Sequence, residues 1–418
     1  MIKWKWKWKP NWKGMKRWKK GVLVALALLL LLQVPFICRR VRLGNLYSAI
    51  QQVNRERVVE DTKNPYADYA GVMHVHSSLG GHSLGSFEEI IEGARANNLR
   101  FVLMTEHTSS VMDTSAMTLS GVHAGVLFVN GNEVNTASHD RLLLLPGSNE
   151  ASSAHTVGTQ QVLEGQKTRG SLSFVAYPHE FQSWDADGYG GIEVYNLYTN
   201  TKKLSYFVTF FDWLWSYWSY PDLMFARFYE RPANELRKWD ELTAAKNRRL
   251  VAVAGNDAHS NVGLQLGDRT GKSFIGAHLD PYERTFGVVR NHVLIEREKP
   301  LTTETLLAAL ASGHSYIAFD LFGDASGFTF TADNSRDTKI MGDEIELLGG
   351  VRLAVTTPVP SRTLLIKDGQ VVRDEDGAAR KEYAVTERGV YRVEVYLTQL
   401  GPLVCDKPWI ISNPIYVR

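Results

Sequence analysis

Five times in this chain a short apolar run stops at a side chain able to hold a metal ion, and few folds satisfy that pattern. Tyr69 to His76 ends in His74-Val-His76, Arg100 to Thr105 in Glu106-His107, and Val126 to Val129 in Gly131-Asn-Glu133. Ser171 to Ala176 ends in Tyr177-Pro-His179, and Leu250 to Ala254 in Gly255-Asn-Asp257-Ala-His259. Runs of this length and texture predict buried strands. Between the first two, the capping box Ser86-Phe-Glu-Glu89 with Ile90, Ile91, Ala94 and Leu99 predicts a helix. Strand, helix and strand at this spacing predict a parallel sheet with crossover helices, and parallel barrels collect functional side chains at the carboxyl ends of their strands.

The residues at those ends share one chemistry. Two apart on an extended strand, His74 and His76 face the same side and form a chelate, with His82 in the Gly-rich turn that follows. Neutral imidazoles and carboxylates suit zinc, manganese or iron, and a carboxylate such as Glu133 can bridge two ions. Between Glu133 and His179 the candidate ligand is His139, directly before the Leu142 to Leu145 strand, with His155 as the alternative. The set His74, His76, His82, His107, His139, His179 and His259 takes seven of the 12 histidines. His123, His155, His278, His292 and His314 lack motif context and read as structural. Glu106, Glu193 and Asn196 are candidates for orienting the ligands, and Arg284 for binding phosphate. Neither Gly-x-Ser-x-Gly nor Gly-x-x-x-x-Gly-Lys-[Ser/Thr] occurs, so no nucleophile elbow or P-loop competes.

In order, His74-x-His76, Thr105-Glu-His107, Gly131-x-Glu133, His179 and Asp257-x-His259 resemble the polymerase-and-histidinol-phosphatase (PHP) domain of metal-dependent phosphoesterases. The resemblance covers about residues 70–320. It implies an α/β fold, a distorted (βα)7 barrel, with two or three divalent ions (Zn, Mn or Fe) at the strand ends. His82 falls where zinc-type members carry a third early histidine. Two positions depart from the pattern: Glu106 replaces the usual Asp, and Tyr177-Pro178 stands where His-Pro is expected, which passes the ligand role to His179. Clustered dications acidify a bound water to a pKa of about 7, so no protein nucleophile is required.

The amino terminus sets the location. Residues 1–20 carry nine Lys or Arg and no acid, interleaved with Trp4, Trp6, Trp8, Trp12 and Trp18. Residues 21–38 (Gly21 to Cys38) hold no charge, and at about 1.5 Å per residue they nearly cross a hydrocarbon core of about 30 Å. No small-x-small cleavage site precedes Arg39, so the segment reads as an uncleaved signal anchor. The charge bias predicts a single pass through a bacterial cytoplasmic membrane, with the amino terminus in the cytoplasm and the catalytic region outside, in the periplasm. Residues 43–418 carry 35 basic against 45 acidic side chains, a balance that argues against nucleic acid as partner. With only Cys38 and Cys405, no thiolate metal site is available.

Five segments follow from these signals: a basic segment 1–20, the span 21–38, a juxtamembrane stalk 39–69, the metallohydrolase barrel 70–320 and an antiparallel β-sandwich 321–418. The stalk is expected to be helical from Tyr47 to Val59 and to break at Asn64-Pro65. Alternating runs separated by Lys367-Asp-Gly369 and Asp376-Gly377 predict the sandwich. The aromatic insertion Leu204 to Phe228, interrupted by Asp212 and Pro221, predicts a helix packed on the barrel or lying at the bilayer surface. The expected function is hydrolysis of a phosphoester on a small molecule, a lipid head group or an envelope polymer. The alternatives are metal-dependent hydrolysis of a carbamate, amide or ester, and a non-catalytic surface protein that binds through its sandwich.

Overall fold

The computed structural model describes residues 14–58, 64–201, 206–261, 263–267, 273–278 and 280–418. Residues 1–13 of the Lys/Trp segment, 59–63 of the expected stalk and 204–205 of the aromatic insertion lie outside the described residues.

Helix α1 (Arg17–Glu56) runs for 40 residues with Pro35 inside it. Among the described residues it is the one helix long and apolar enough to cross a membrane, an 18-residue stretch of it reaching a mean hydropathy of 2.6. The expected boundary at Arg39 is not a helix end. Residues 39–56, read as the start of a stalk, continue α1 and bury Leu43, Leu46, Ile50 and Val53. Steps of three and four put these side chains on one face, so the carboxyl-terminal part of the helix docks on the protein. Beyond that stripe, Asp324 N donates to Asn54 Oδ1 (3.0 Å) and Val58 N to Pro358 O (2.8 Å).

The mixed α/β region begins with β1 (Tyr66–Val75), α2 (Phe87–Ala96), β2 (Phe101–Met104) and β3 (Glu106–His107). Then come α3 (Thr114–Met117), β4 (Gly121–His123), β5 (Val126–Val129), β6 (Asn132–Asn135), β7 (Arg141–Leu145) and α4 (Thr159–Arg169). Next are β8 (Leu172–Ala176), β9 (Gly191–Asn196), α5 (Leu197–Thr201), α6 (Tyr206–Ser216), α7 (Ala233–Asp240) and β10 (Val251–Gly255). A hairpin of β11 (Gly263–Gly267) and β12 (Ser273–His278) precedes α8 (Tyr282–Thr285), β13 (Arg290–Glu296), α9 (Thr303–Ser312) and β14 (Ser315–Ala318). The α2 capping box forms as its sequence predicts, with Ser86 N on Glu89 Oε2 (2.8 Å) and Glu89 N on Ser86 Oγ (3.2 Å).

Parallel pairs are β1 with β2, β2 with β5, β3 with β6, β8 with β9, and β9 with β10. Strand β7 is antiparallel to both β6 and β8, because a tight turn joins it to β6 as a hairpin. Strand pairing among the described residues does not run as one closed ring. It passes from one sheet to another where β2 gives way to β3 and β5 to β6. On the far side, β1 and the end of β10 meet through the Val75–Ala258 bridge, with His76 N on Ala258 O (3.1 Å) and Ala258 N on His74 O (3.2 Å). The cause is β13, which lies antiparallel along β1 and takes its edge. Its Asn291 amide stands in for a strand partner, accepting from Ala254 N (2.9 Å) and donating to Ala254 O (2.7 Å).

The carboxyl-terminal part is β-rich. One sheet contains β15 (Thr329–Asp333), β16 (Thr338–Ile340), β18 (Val351–Thr356) and β21 (Arg380–Val385), all paired antiparallel. The other contains β17 (Glu344–Ile345), β19 (Arg362–Lys367), β20 (Gln370–Glu375), β22 (Gly389–Tyr396), β23 (Ile410–Ser412) and β24 (Ile415–Val417). It is continuous with the α/β region, because β14 pairs with both β13 and β23. A buried ion network adds a second tie: Arg392 grips Asp240 through two 2.7 Å bonds and Glu394 at 2.7 Å, and Glu394 also accepts from Arg231.

Candidate metal centre

The rings of His74 and His76 come within 5.1 Å of each other, but not by simple strand alternation. The β1 register shifts between Met73 and Val75, and His74 takes a left-handed backbone, φ 64°. Tyr177 (φ 47°) and Asp257 (φ 48°) are left-handed as well. Each such residue costs about 1–3 kcal/mol, and three of them converging on one place mark a site whose geometry is held against strain.

Around them the strand ends bring six residues together. Glu133 Oε2 lies 3.3 Å from His74 Nε2, 3.3 Å from His76 Nε2 and 3.5 Å from His107 Nε2. Asp257 Oδ1 is 3.5 Å from both His74 Nε2 and His76 Nε2, and 3.4 Å from His259 Nδ1. The His76 ring stacks between His107 (4.6 Å) and His259 (4.4 Å). Two overlapping groups have ligand atoms within 4.8 Å of one another: His76, His107 and His259, and His74, His76 and Glu133. His82 is exposed at the edge, its ring 4.8 Å from that of His107.

The residues behind these fix their orientation. Glu193, fully buried, accepts from His74 Nδ1 at 2.6 Å, which turns Nε2 toward Glu133 and Asp257. Asn196 Nδ2 donates to Glu193 Oε2 (3.1 Å) and Asp257 Oδ2 (3.3 Å). A side chain on Gly255 would meet Glu193 Oε1 at 1.6 Å, so only glycine lets β10 pass this close. Glu106 acts one step further back, accepting from Ser77 N (3.1 Å), Ser77 Oγ (2.6 Å) and Thr118 Oγ1 (2.9 Å), and so pins the turn after His76.

Two expected ligands are not gathered. His179 is 44 % exposed beside Glu180 (3.6 Å), because the left-handed Tyr177 and the following proline end the strand's two-residue alternation. Tyr177 points inward instead: buried, it donates its hydroxyl to Asp257 Oδ2. His139 (φ 62°) is exposed in the turn between β6 and β7, and its neighbour Asp140 is the buried residue, accepting from Thr159 Oγ1 (2.6 Å). His155 is also exposed, on Ser152 O (2.8 Å). Arg284 lies away from the cluster, its guanidinium over the Tyr217 ring (4.8 Å) and 3.7 Å from Asp222. Sequence reading missed Arg141, whose guanidinium covers the Tyr177 ring (4.6 Å) and reaches Glu133 Oε1 (3.5 Å). It also missed Tyr198, whose ring is 5.5 Å from that of His259.

The electrostatics suit a cation. Three carboxylates, Glu133, Glu193 and Asp257, are buried together. Burial alone would raise Glu133 and Asp257, yet His74 and His76 beside them hold both below the usual carboxylate range. Burial likewise opposes charge on His74, but Glu193, Asp257 and Glu133 push its pKa well above the ordinary value. His107, where burial outweighs Glu133, falls to about 4 and is neutral at physiological pH. His74 Nε2, both nitrogens of His76 and Asp257 Oδ1 are buried without a hydrogen bond. Orphaned lone pairs converging at 3.3–3.5 Å fit a divalent ion. His82 and His179 separate edge from bystander: replacing His82 with Ala should lower metal content by one ion or less, whereas H179A should leave it unchanged, both read by elemental analysis.

No family model and no curated protein matches the chain. Among solved structures, PsfC from Pseudomonas syringae has a TM-score of 0.37 at 13% identity, over 60% of this chain and 91% of that one. The lesion-specific endonuclease PfuEndoQ from Pyrococcus furiosus has a TM-score of 0.37 at 13% identity, over 66% of this chain and 64% of that one. Likenesses this distant assign no activity to the chain.

Proposed function

We propose that this chain is a metal-dependent phosphoesterase of PHP type, anchored by α1 with its catalytic region outside the membrane. The observation that carries the reading is the convergence of His74, His76, His107, His259, Glu133 and Asp257, with buried ligand atoms that no protein group satisfies. Divalent ions held there would acidify a water and polarise the phosphoryl oxygen. The chain's own residues do the rest. Glu193 holds His74 in the tautomer that presents Nε2, and Asn196 ties Glu193 to Asp257. Tyr177 keeps one Asp257 oxygen occupied, leaving the other for the centre.

Arg141 favours phosphate over a neutral carbonyl. It is a half-exposed guanidinium at the rim, suited to a non-bridging phosphoryl oxygen. Replacing Arg141 with Ala should lower kcat/KM for a soluble phosphodiester by about 10- to 100-fold, the value of one charge-assisted hydrogen bond. Hydrolysis of an aryl ester should change little. Assays of a phosphodiester, a phosphomonoester and an aryl ester, alongside elemental analysis of the purified full chain, test the reading. Protein that carries no transition metal, or that cleaves only the aryl ester, would sink it.

A further inference from the structure

Helix α6 is built inside out. Among its described side chains the buried ones are Asp212 and Ser216, while Phe210 (62 % exposed), Leu214 (58 %) and, in the turn beyond, Trp218 (86 %) form an apolar stripe with a period of four. Asp212 is held between Arg39 (3.4 Å) and Arg227, so the polar face is committed to the protein. An exposed stripe of this kind signals a non-aqueous neighbour.

The occupant follows from what α6 packs against. The Phe211 and Phe36 rings meet at 5.3 Å, Trp215 Nε1 donates to Gln33 Oε1 (2.9 Å), and Arg40 Nη2 to Ser219 Oγ (2.8 Å). Further along, Tyr220 meets Tyr47 at 5.8 Å. The helix therefore lies beside the last uncharged turns of α1, where Leu32, Val34 and Ile37 are exposed as well. Aromatic and basic residues at that depth belong to the membrane interface.

The chain approaches α6 from the metal centre. The helix follows β9, which carries Glu193 and Asn196, and α5 sets the Tyr198 ring 5.5 Å from that of His259. From Asn196 to Tyr206 the chain can span at most about 25 Å. A second link runs through Arg284, over the Tyr217 ring (4.8 Å), to α8, where the Tyr282 hydroxyl donates to His76 O (2.6 Å). The α6 stripe and the ligands are thus joined by a short length of chain and by the Arg284 contact.

We propose that the substrate is a phosphoester in the head group of a membrane lipid, and that the α6 stripe seats in the leaflet that presents it. This rests on the phosphoesterase reading above and adds its substrate class. In the reaction a water oxygen bonds to phosphorus, the P–O bond to the alcohol breaks, and the alcohol leaves with a proton.

The test uses the full chain, metal-loaded and reconstituted in phosphatidylcholine vesicles doped with phosphatidylglycerol or phosphatidic acid, with bis(4-nitrophenyl) phosphate as the soluble substrate. Wild type should cleave a doped lipid. The triple variant Phe210→Ser, Leu214→Ser, Trp218→Ser should lose about tenfold or more on that lipid while its soluble activity stays within about twofold; Trp218→Ser alone should lose part of it. Soluble activity also reports that the variants are folded. An unchanged vesicle rate in the triple variant, equal losses on both substrates, or wild type that cleaves only the soluble diester would each overturn the proposal. If wild type cleaves neither, the phosphoesterase reading falls and the lipid assignment falls with it.

Discussion

Replacing His74 and His76 together with Ala should strip the chain of bound metal and lower kcat/KM for a phosphodiester by at least about a thousandfold, equivalent to about 4 kcal/mol of transition-state stabilisation. His76 supplies a ligand atom to both of the overlapping groups and His74 to one of them, so neither group survives their joint loss. Changing Glu193 to Gln should act more gently. It keeps a hydrogen-bonding group on His74 Nδ1 but removes the charge that fixes the tautomer, and metal affinity should fall by about 10- to 100-fold. Metal retained after dialysis is the direct readout, and circular dichroism checks that the double variant is folded. A folded double variant with wild-type metal content would place the centre elsewhere.

The strand-end rule located much of this centre because the signal is local. An apolar run makes a strand, the strand buries, and the polar residue that stops it is left at the mouth; Glu133, Asp257 and His259 were legible for that reason alone. His179 follows an equally good run and His139 precedes one, but both fail where the backbone departs from a parallel strand, after a left-handed Tyr177-Pro178 and in a hairpin turn. Arg141 carried no usable signal, because its meeting with Tyr177 depends on β7 and β8 pairing antiparallel. In α1 the information was present but masked. The Leu43, Leu46, Ile50 and Val53 spacing is a helical stripe, yet the charges at Arg39 and Arg40 after the apolar run suggest a helix end that does not exist. The open edge of β10 also lay beyond sequence reading, since it is set by β13 from far along the chain and by the Asn291 side chain.

Away from the centre, His292 should make the fold most stable at or below about pH 6.5 and progressively less so toward pH 10. It is fully buried on β13, with Nδ1 on Asp68 Oδ1 (2.9 Å) and Nε2 on Asp320 Oδ2 (3.1 Å). Two carboxylate partners require both ring nitrogens to donate, so the native form is the imidazolium. Tyr316 donates to Asp68 (2.5 Å), and Arg290 Nη1 lies 3.2 Å from Asp320, which fixes the acceptors in place. Burial alone would lower the His292 pKa, but Asp68 and Asp320 outweigh it and raise the value to about 10. The folded state therefore holds its proton more tightly than the unfolded chain, where histidine titrates near 6.5. Its stabilising contribution is complete below the unfolded value and is lost as pH rises through the folded one, by up to about 5 kcal/mol. Thermal melts of the full chain between pH 6 and pH 10 should show this decline. Replacing His292 with Gln should remove most of the slope and destabilise the protein by about 3–5 kcal/mol at pH 6, because both aspartates lose their buried countercharge. Equal slopes for wild type and H292Q would show that the imidazolium bridge is not what couples this fold to pH.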